Sequence, residues 1–199
     1  VNGVVYVAYG AQAVEEATKS IRSLKKHCSL PVTVIGDKVA GVPGQLTGSQ
    51  AGRPGRWAKT RLYHLSPYDR TLYVDADTRI HGNVEWGFEA LEAGWDMVIV
   101  PSKAQGEPLH HLGKNEREVT LIELHNSFPL MLNSGVMWFD KNERTRALFG
   151  GWHDEWLRWQ QHDQGALLRA LRRHPVYLLI AGRPYNDGEI VEHLFGRIK

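Results

Sequence analysis

In "RTLYVDADTRI", residues 70–80, Asp75 and Asp77 stand one residue apart at the exit of an apolar run. Two carboxylates so placed repel, and the pair asks for a positive species between them. If the extended geometry of a strand persists through them, residues i and i+2 face the same way and both carboxylates reach one centre. Hard carboxylate oxygens suit Mn²⁺ or Mg²⁺, ions that keep open positions for water and substrate phosphates, so the pair implies a phosphate-bearing ligand. Taken alone, the tripeptide fits a solvated turn equally well.

Three further stretches bear on that choice. "LNSGVMWFD" sets Asn133, Ser134 and Gly135 inside an apolar run. Buried polar side chains there need a partner, which is a sugar hydroxyl, a backbone group or the local bonding of a bulge. "HDQGALL" sets Asp163 and Gln164 just before a helical run, where the plain role is an N-cap and first turn. "EHLFGRIK" spaces an imidazole, a glycine and an ammonium evenly at His193, Gly196 and Lys199. A lone histidine is ordinarily structural.

The elements that must hold these residues are those of an α/β chain. "GVVYVAYG", the helical stretch "AVEEATKSIRSLKKH" and "LPVTVIGD" form a first βαβ unit, and the Gly- and Pro-rich stretch from Lys38 to Gly55 predicts a flexible flap. "GRWAKTRLYHLSPYD" predicts one helix ended at Ser66-Pro67, "RTLYVDADT" a strand buried on both faces, Val84 to Ala93 a helix, and "WDMVIVPS" a strand. Lys103 to Phe128 lacks a period and is expected to be a variable excursion. "PLMLNSGVMWFD" returns as a strand. Two helical segments follow over residues 142–174, with Gly150-Gly151 a possible break, and "PVYLLIAG" is expected to be a last core strand. The pattern gives one α/β domain, with a mixed, mostly parallel sheet flanked by helices on both faces. Ligands of such sheets bind beyond the carboxyl ends of the strands, where Asp75 and Asp77 fall.

Composition narrows the partners. The chain has 199 residues, a net charge of +2 and one cysteine, so it suits a single hydrophobic core, does not coat nucleic acid, and has no intrachain disulfide. No apolar run approaches the roughly 20 residues that span a bilayer, and the cytoplasm is the expected compartment. Trp152, Trp156 and Trp159 make one helical stripe, read as core. His110 and His111 read as surface residues, and Arg169, Arg172 and Arg173 as charges that satisfy a helix C-terminus.

Together the four motifs resemble the family 8 glycosyltransferases, the group containing glycogenin and the bacterial lipopolysaccharide galactosyltransferases. "YDRTLYVDADT" resembles the family's strand and metal motif, "LNSGVMWF" its NSG strand, "DQGALL" its DQ helix start, and "HLFGRIK" its HxxGxxK terminus. The resemblance implies a single GT-A (Rossmann-like) domain over residues 1–199, with a nucleotide-binding half, 1–77, and a sugar and acceptor half, 78–199. It implies Mn²⁺, with Mg²⁺ as the alternative, held by Asp75, Asp77 and His193. It implies donor contacts from Ala8, Tyr9, Lys59, Asp75, Asn133, Ser134, Asp163, Gln164, Gly196 and Lys199, and catalytic roles for Asp163 and Gln164, with Asp163 the candidate nucleophile. The implied reaction is retaining transfer of a hexose, glucose or galactose, from a UDP-sugar to a glycan, protein or small molecule.

One position departs from the family. Many members carry an aromatic residue that packs on uracil where this chain has Ala13, so Tyr9 must substitute or the base is held otherwise. The competing readings are a nucleotide-sugar hydrolase, a nucleotidyltransferase, and a catalytically silent sugar-nucleotide-binding module. A nucleotidyltransferase does not require His193 with Lys199, and the intact metal residues argue against a silent module.

Overall fold

The computed structural model describes residues 1–43, 54–103 and 109–195. The chain opens with β1 (Asn2–Ala8), α1 (Ala11–Leu24) and β2 (Val32–Gly36), then α2 (Pro54–Lys59), α3 (Leu62–Leu65), β3 (Arg70–Val74) and β4 (Thr78–Ile80). It continues through α4 (Trp86–Glu92), β5 (Met97–Pro101), α5 (Lys114–Leu124), β6 (Leu132–Asp140), α6 (Glu143–Leu157), α7 (Asp163–Arg173), β7 (Leu178–Ile180), α8 (Pro184–Asp187) and β8 (Val191–His193).

Six strands form the main sheet in the order β2-β1-β3-β6-β5-β7, and β4 pairs with β8 in a separate two-stranded ladder. Within the main sheet, among the described residues, β6 alone runs antiparallel, to β3 on one side and β5 on the other; the β4–β8 pair is antiparallel too. Because side chains alternate along a strand, each central strand feeds two cores. Val4, Tyr6, Leu72 and Val74 pack with Ile21 and Leu24 of α1 and Phe88 of α4. Val5, Val7 and Tyr73 pack with Leu62 of α3, Phe149 and Trp152 of α6, and Leu167 of α7. Helices therefore cover both faces, which is why these strands read as continuous apolar runs. Each large apolar side chain so buried contributes about 1.5–3 kcal/mol.

Several elements differ from the sequence reading. The single helix expected after Gly55 is two short ones, α2 and α3, parted by a turn at residues 60–61. The excursion contains α5, whose buried positions are Glu116 and Thr120 rather than apolar residues, so no hydrophobic period marks it. α6 runs unbroken through Gly150-Gly151. A Cβ at Gly151 would lie 2.3 Å from Cδ2 of His174, so that glycine admits the end of α7 against α6. β7 is an edge strand, half-buried to exposed, not a core strand.

Trp152 and Trp156 enter the core as expected, whereas Trp159 lies beyond the end of α6 and is half-buried. Arg169 is not a surface charge at a helix end. It is buried, and its guanidinium donates to Glu155 Oε2 at 2.8 Å, approaches Glu116 Oε1 at 3.4 Å and donates to Thr120 Oγ1, tying α5, α6 and α7 together. Part of the expected flap, residues 44–53, lies outside the described residues.

Candidate functional site

Backbone geometry at the ends of β3 and β6 builds the site. β5 pairs Ile99 with Met137 but Val100 with Asn133, so the register skips residues 134–136 and β6 bulges there. Asn133 Oδ1 accepts from Gly135 N at 2.7 Å, and Gly135 O accepts from Asp75 N at 2.7 Å. The bulge is thus locked against the exit of β3. Strand alternation does not bring the two aspartates together, since β3 ends at Val74 and residues 76–77 form a turn. Thr78 Oγ1 closes that turn by donating to Asp75 O at 2.8 Å.

His193 reaches the same point from far along the chain. β8 pairs with β4 so that His193 stands opposite Thr78, and Leu194 N donates to Asp77 O at 2.9 Å. Its Nε2 lies 3.2 Å from Asp77 Oδ1 and 3.7 Å from Asp75 Oδ2. One ligand atom from each of Asp75, Asp77 and His193 lies within 4.8 Å of the others. Gly135 borders this space, because a Cβ there would sit 2.3 Å from His193 Cε1 and 2.6 Å from Asp75 Oδ2. Two carboxylate oxygens and an imidazole nitrogen facing a cradle kept open by a glycine fit a divalent cation.

Behind the aspartates lies a largely buried network of ion pairs and hydrogen bonds. Tyr73 donates to Asp75 Oδ1 at 2.5 Å, and Lys59 Nζ lies 3.0 Å from the same oxygen and 3.4 Å from Asp163 Oδ2. Ser134 donates to Asp163 Oδ2 at 2.5 Å, Arg56 Nε approaches Asp163 Oδ1 at 3.7 Å, and Trp152 Nε1 donates to Asp163 O at 2.8 Å. Burial alone would raise the pKa of Asp163, but Lys59, the Ser134 hydroxyl and Arg56 outweigh it and hold the carboxyl below its ordinary range. Burial likewise opposes the charge of Lys59, and Asp163 and Asp75 reverse that effect and raise its pKa. Tyr73 is pushed well above its ordinary value by burial and then by the neighbouring Asp75, so it stays a hydroxyl donor.

A cleft of about 590 Å³ opens beside the centre, lined by residues 9–13, Glu16 and residues 75–77, within the range of ligand-binding clefts. Asp37 Oδ2 accepts from Gly10 N at 2.6 Å, bracing the turn into α1. Among the expected site residues, Tyr9, Asp75 and Asp77 line the cleft, while Ala8 is fully buried beneath it. Lys59, Asn133, Ser134 and Asp163 are buried around this candidate metal centre. Gln164 follows in the first turn of α7, half-buried. Asp163 is not an N-cap: His162 holds that position, and the Asp163 side chain points to Ser134 and Lys59. Gly196 and Lys199 lie outside the described residues. Sequence reasoning missed Arg56, which had no signal beyond being a helix arginine, and Tyr73, which reads as a core strand residue.

No protein-family model and no curated protein sequence matches the chain. Solved structures do. The apo form of mouse xyloside xylosyltransferase 1 matches with a TM-score of 0.62 at 12% identity, over 92% of this chain and 86% of that one. The apo structure of the WbbM bifunctional glycosyltransferase matches with a TM-score of 0.66 at 13% identity, over 92% of this chain and 39% of that one. The likeness is one of fold: an α/β domain with a mixed, mostly parallel six-stranded sheet flanked by helices, of GT-A type. Among the described residues no helix is long and apolar enough to cross a membrane.

Proposed function

We propose that the chain is a Mn²⁺-dependent, retaining glycosyltransferase that moves a hexose, glucose or galactose, from a UDP-sugar to a glycan, protein or small-molecule acceptor. The observation that carries this reading is the convergence of Asp75, Asp77 and His193 on one point at the wall of the cleft. One imidazole among carboxylates favours Mn²⁺ over Mg²⁺. When bound, such an ion supplies Lewis-acid stabilisation, worth several kcal/mol, of negative charge on a departing diphosphate.

The rest of the work falls to the chain's own residues. Tyr73 and Lys59 bond Asp75 from behind and aim it, as partners of metal-ligating carboxylates do. Tyr9 borders the cleft and offers its ring to the base, since Ala13, which also lines it, offers none. Asp163 is kept ionised in a dry setting, where a negative charge best stabilises the positive character that develops at an anomeric carbon. Its oxygens are engaged by Ser134, Lys59 and Arg56, which favours that electrostatic role over nucleophilic attack. Asn133, Ser134 and Gln164 would orient the sugar. Gly196 would let backbone approach the diphosphate, and Lys199 would pair with it. The cleft walls come from residues 9–77, which supports taking 1–77 as the nucleotide half and 78–199 as the sugar and acceptor half.

The test is a panel of nucleotide sugars incubated with Mn²⁺, scored by release of nucleoside diphosphate with and without mixed acceptors. Acceptor-stimulated release from a UDP-hexose is expected. Release that ignores every acceptor would identify a hydrolase, and nucleotide binding without release would identify a silent module.

A further inference from the structure

We infer that Asn186 is a positioning residue for the metal centre, holding the imidazole of His193 so that a nitrogen lone pair, and not a carbon or an N–H, faces Asp75 and Asp77. The inference rests on the metal-site reading and extends it to a residue outside the ligand set.

Asn186 sits in α8, about 1% exposed, against the Nδ1 edge of His193. Its Nδ2 donates to Pro101 O at 2.9 Å. A carbonyl oxygen only accepts, so the amide nitrogen must be the atom at that place, and Oδ1 is left facing His193 Nδ1 at 3.2 Å. Oδ1 also only accepts, so Nδ1 must carry a hydrogen. In a neutral imidazole that places the lone pair on Nε2, the atom 3.2 Å from Asp77 Oδ1. The polarity of the whole chain, from the end of β5 through α8 to the ring, is therefore set by one backbone carbonyl.

Packing alone cannot do this. Phe195 stacks on His193 with centroids 4.1 Å apart and planes 15° apart, which fixes the plane of the ring. A stack is indifferent to a half-turn within that plane, and such a turn would exchange nitrogen for carbon at the aspartates. The hydrogen bond from Nδ1 to Asn186 distinguishes the two edges. Partners of this kind raise the affinity of a metal site about 10- to 100-fold.

The experiment measures Mn²⁺ dissociation constants by electron paramagnetic resonance, with circular dichroism as the check on folding. The wild-type chain, Asn186→Leu, Asn186→Asp and His193→Ala are compared with the double variant carrying Asn186→Leu and His193→Ala. Asn186→Leu should weaken Mn²⁺ about 10- to 100-fold, and Asn186→Asp, which as the neutral acid favoured by burial keeps both a donor to Pro101 O and an acceptor at Nδ1, should stay within a few-fold of wild type. In the His193→Ala background the Asn186→Leu penalty should vanish, because the imidazole it acts through is gone. A penalty that persists there would mark a merely structural residue and overturn the inference, as would an Asn186→Leu chain that binds like wild type. If the leucine variant does not fold, Asn186→Ala takes its place in both backgrounds under the same criteria. A wild-type chain that binds no Mn²⁺ removes the metal-site reading itself, and the inference with it.

Discussion

Replacing Gly135 by alanine should damage the candidate metal centre in a chain that still folds. A Cβ at this position lies 2.3 Å from His193 Cε1, 2.6 Å from Asp75 Oδ2 and 2.8 Å from Asn133 Oδ1. Non-bonded carbons rest about 3.5–4.0 Å apart, so the imidazole must retreat by about 1 Å or more. β6 is held at this bulge by the bond from Asp75 N to Gly135 O and by the bond from Gly135 N to Asn133 Oδ1, so moving the backbone instead would break one of these. Gly135 is not among the residues with positive φ, so alanine adds contact and no backbone strain. Overpacking of this sort costs about 1–3 kcal/mol, equivalent to a fall in Tm of about 2–4 °C per kcal/mol for a chain of this length. Disturbing the support of metal ligands lowers affinity about 10- to 100-fold, and Mn²⁺ affinity should drop by about that much. Calorimetric titration with Mn²⁺ and a thermal melt on the same preparation separate the two effects. A folded Gly135→Ala chain that binds Mn²⁺ within threefold of wild type would refute the proposed cradle.

Asp163→Asn removes one of the two carboxylates that neutralise the buried Lys59 and should cost about 3–5 kcal/mol in urea unfolding. Because the folded pKa of Asp163 is depressed, its contribution is present above the unfolded carboxylate value of about 3.9 and drains away as pH falls through the lower folded value. The stability gap between wild type and variant should narrow on acidification, and a gap independent of pH would sink the account. Arg169→Leu takes from the buried Glu116 the arginine that pairs with it and removes one of three arginines around Glu155, and should also cost about 3–5 kcal/mol; Mn²⁺ affinity, read by the same titration, should not move. Tyr73→Phe deletes the hydroxyl that bonds Asp75 and should lower Mn²⁺ affinity about 10-fold; unchanged affinity would show that Lys59 suffices.

The sequence made the first βαβ unit legible because β1 and β2 are mostly apolar on both faces and α1 buries Ala17, Ile21 and Leu24 at helical spacing, with Glu16 and Ser20 beside them. α5 was hidden for the opposite reason: Glu116 and Thr120 fill its buried face, and the ion network with Arg169 stands where an apolar stripe would be. Gly150-Gly151 misled because a glycine inside a helix reads as a break until the neighbour that needs the room, His174, is seen. The convergence of Asp75 with Asp77 was anticipated on strand alternation, yet the chain achieves it with a turn closed by Thr78 and held by the pairing of β4 with β8, which is visible only in three dimensions. Asn186 gave no signal, because a polar residue in a short loop helix reveals nothing of the carbonyl and imidazole it lies between.

The β4–β8 ladder also governs when the centre can come into being. Two of its donors sit near residue 75 and the third at residue 193, so more than half of the chain must fold before the third arrives. Contacts of such separation exact their loop-closure entropy before they return anything, and they form late. A cation captured there acts as a clasp: at 100 times its dissociation constant it would add about 2.7 kcal/mol to the closed state and nothing to any partly folded one. The chain would then gain its grip on the ion and its finished fold in a single event, and a locally frayed C-terminal segment would release the metal before the main sheet opened.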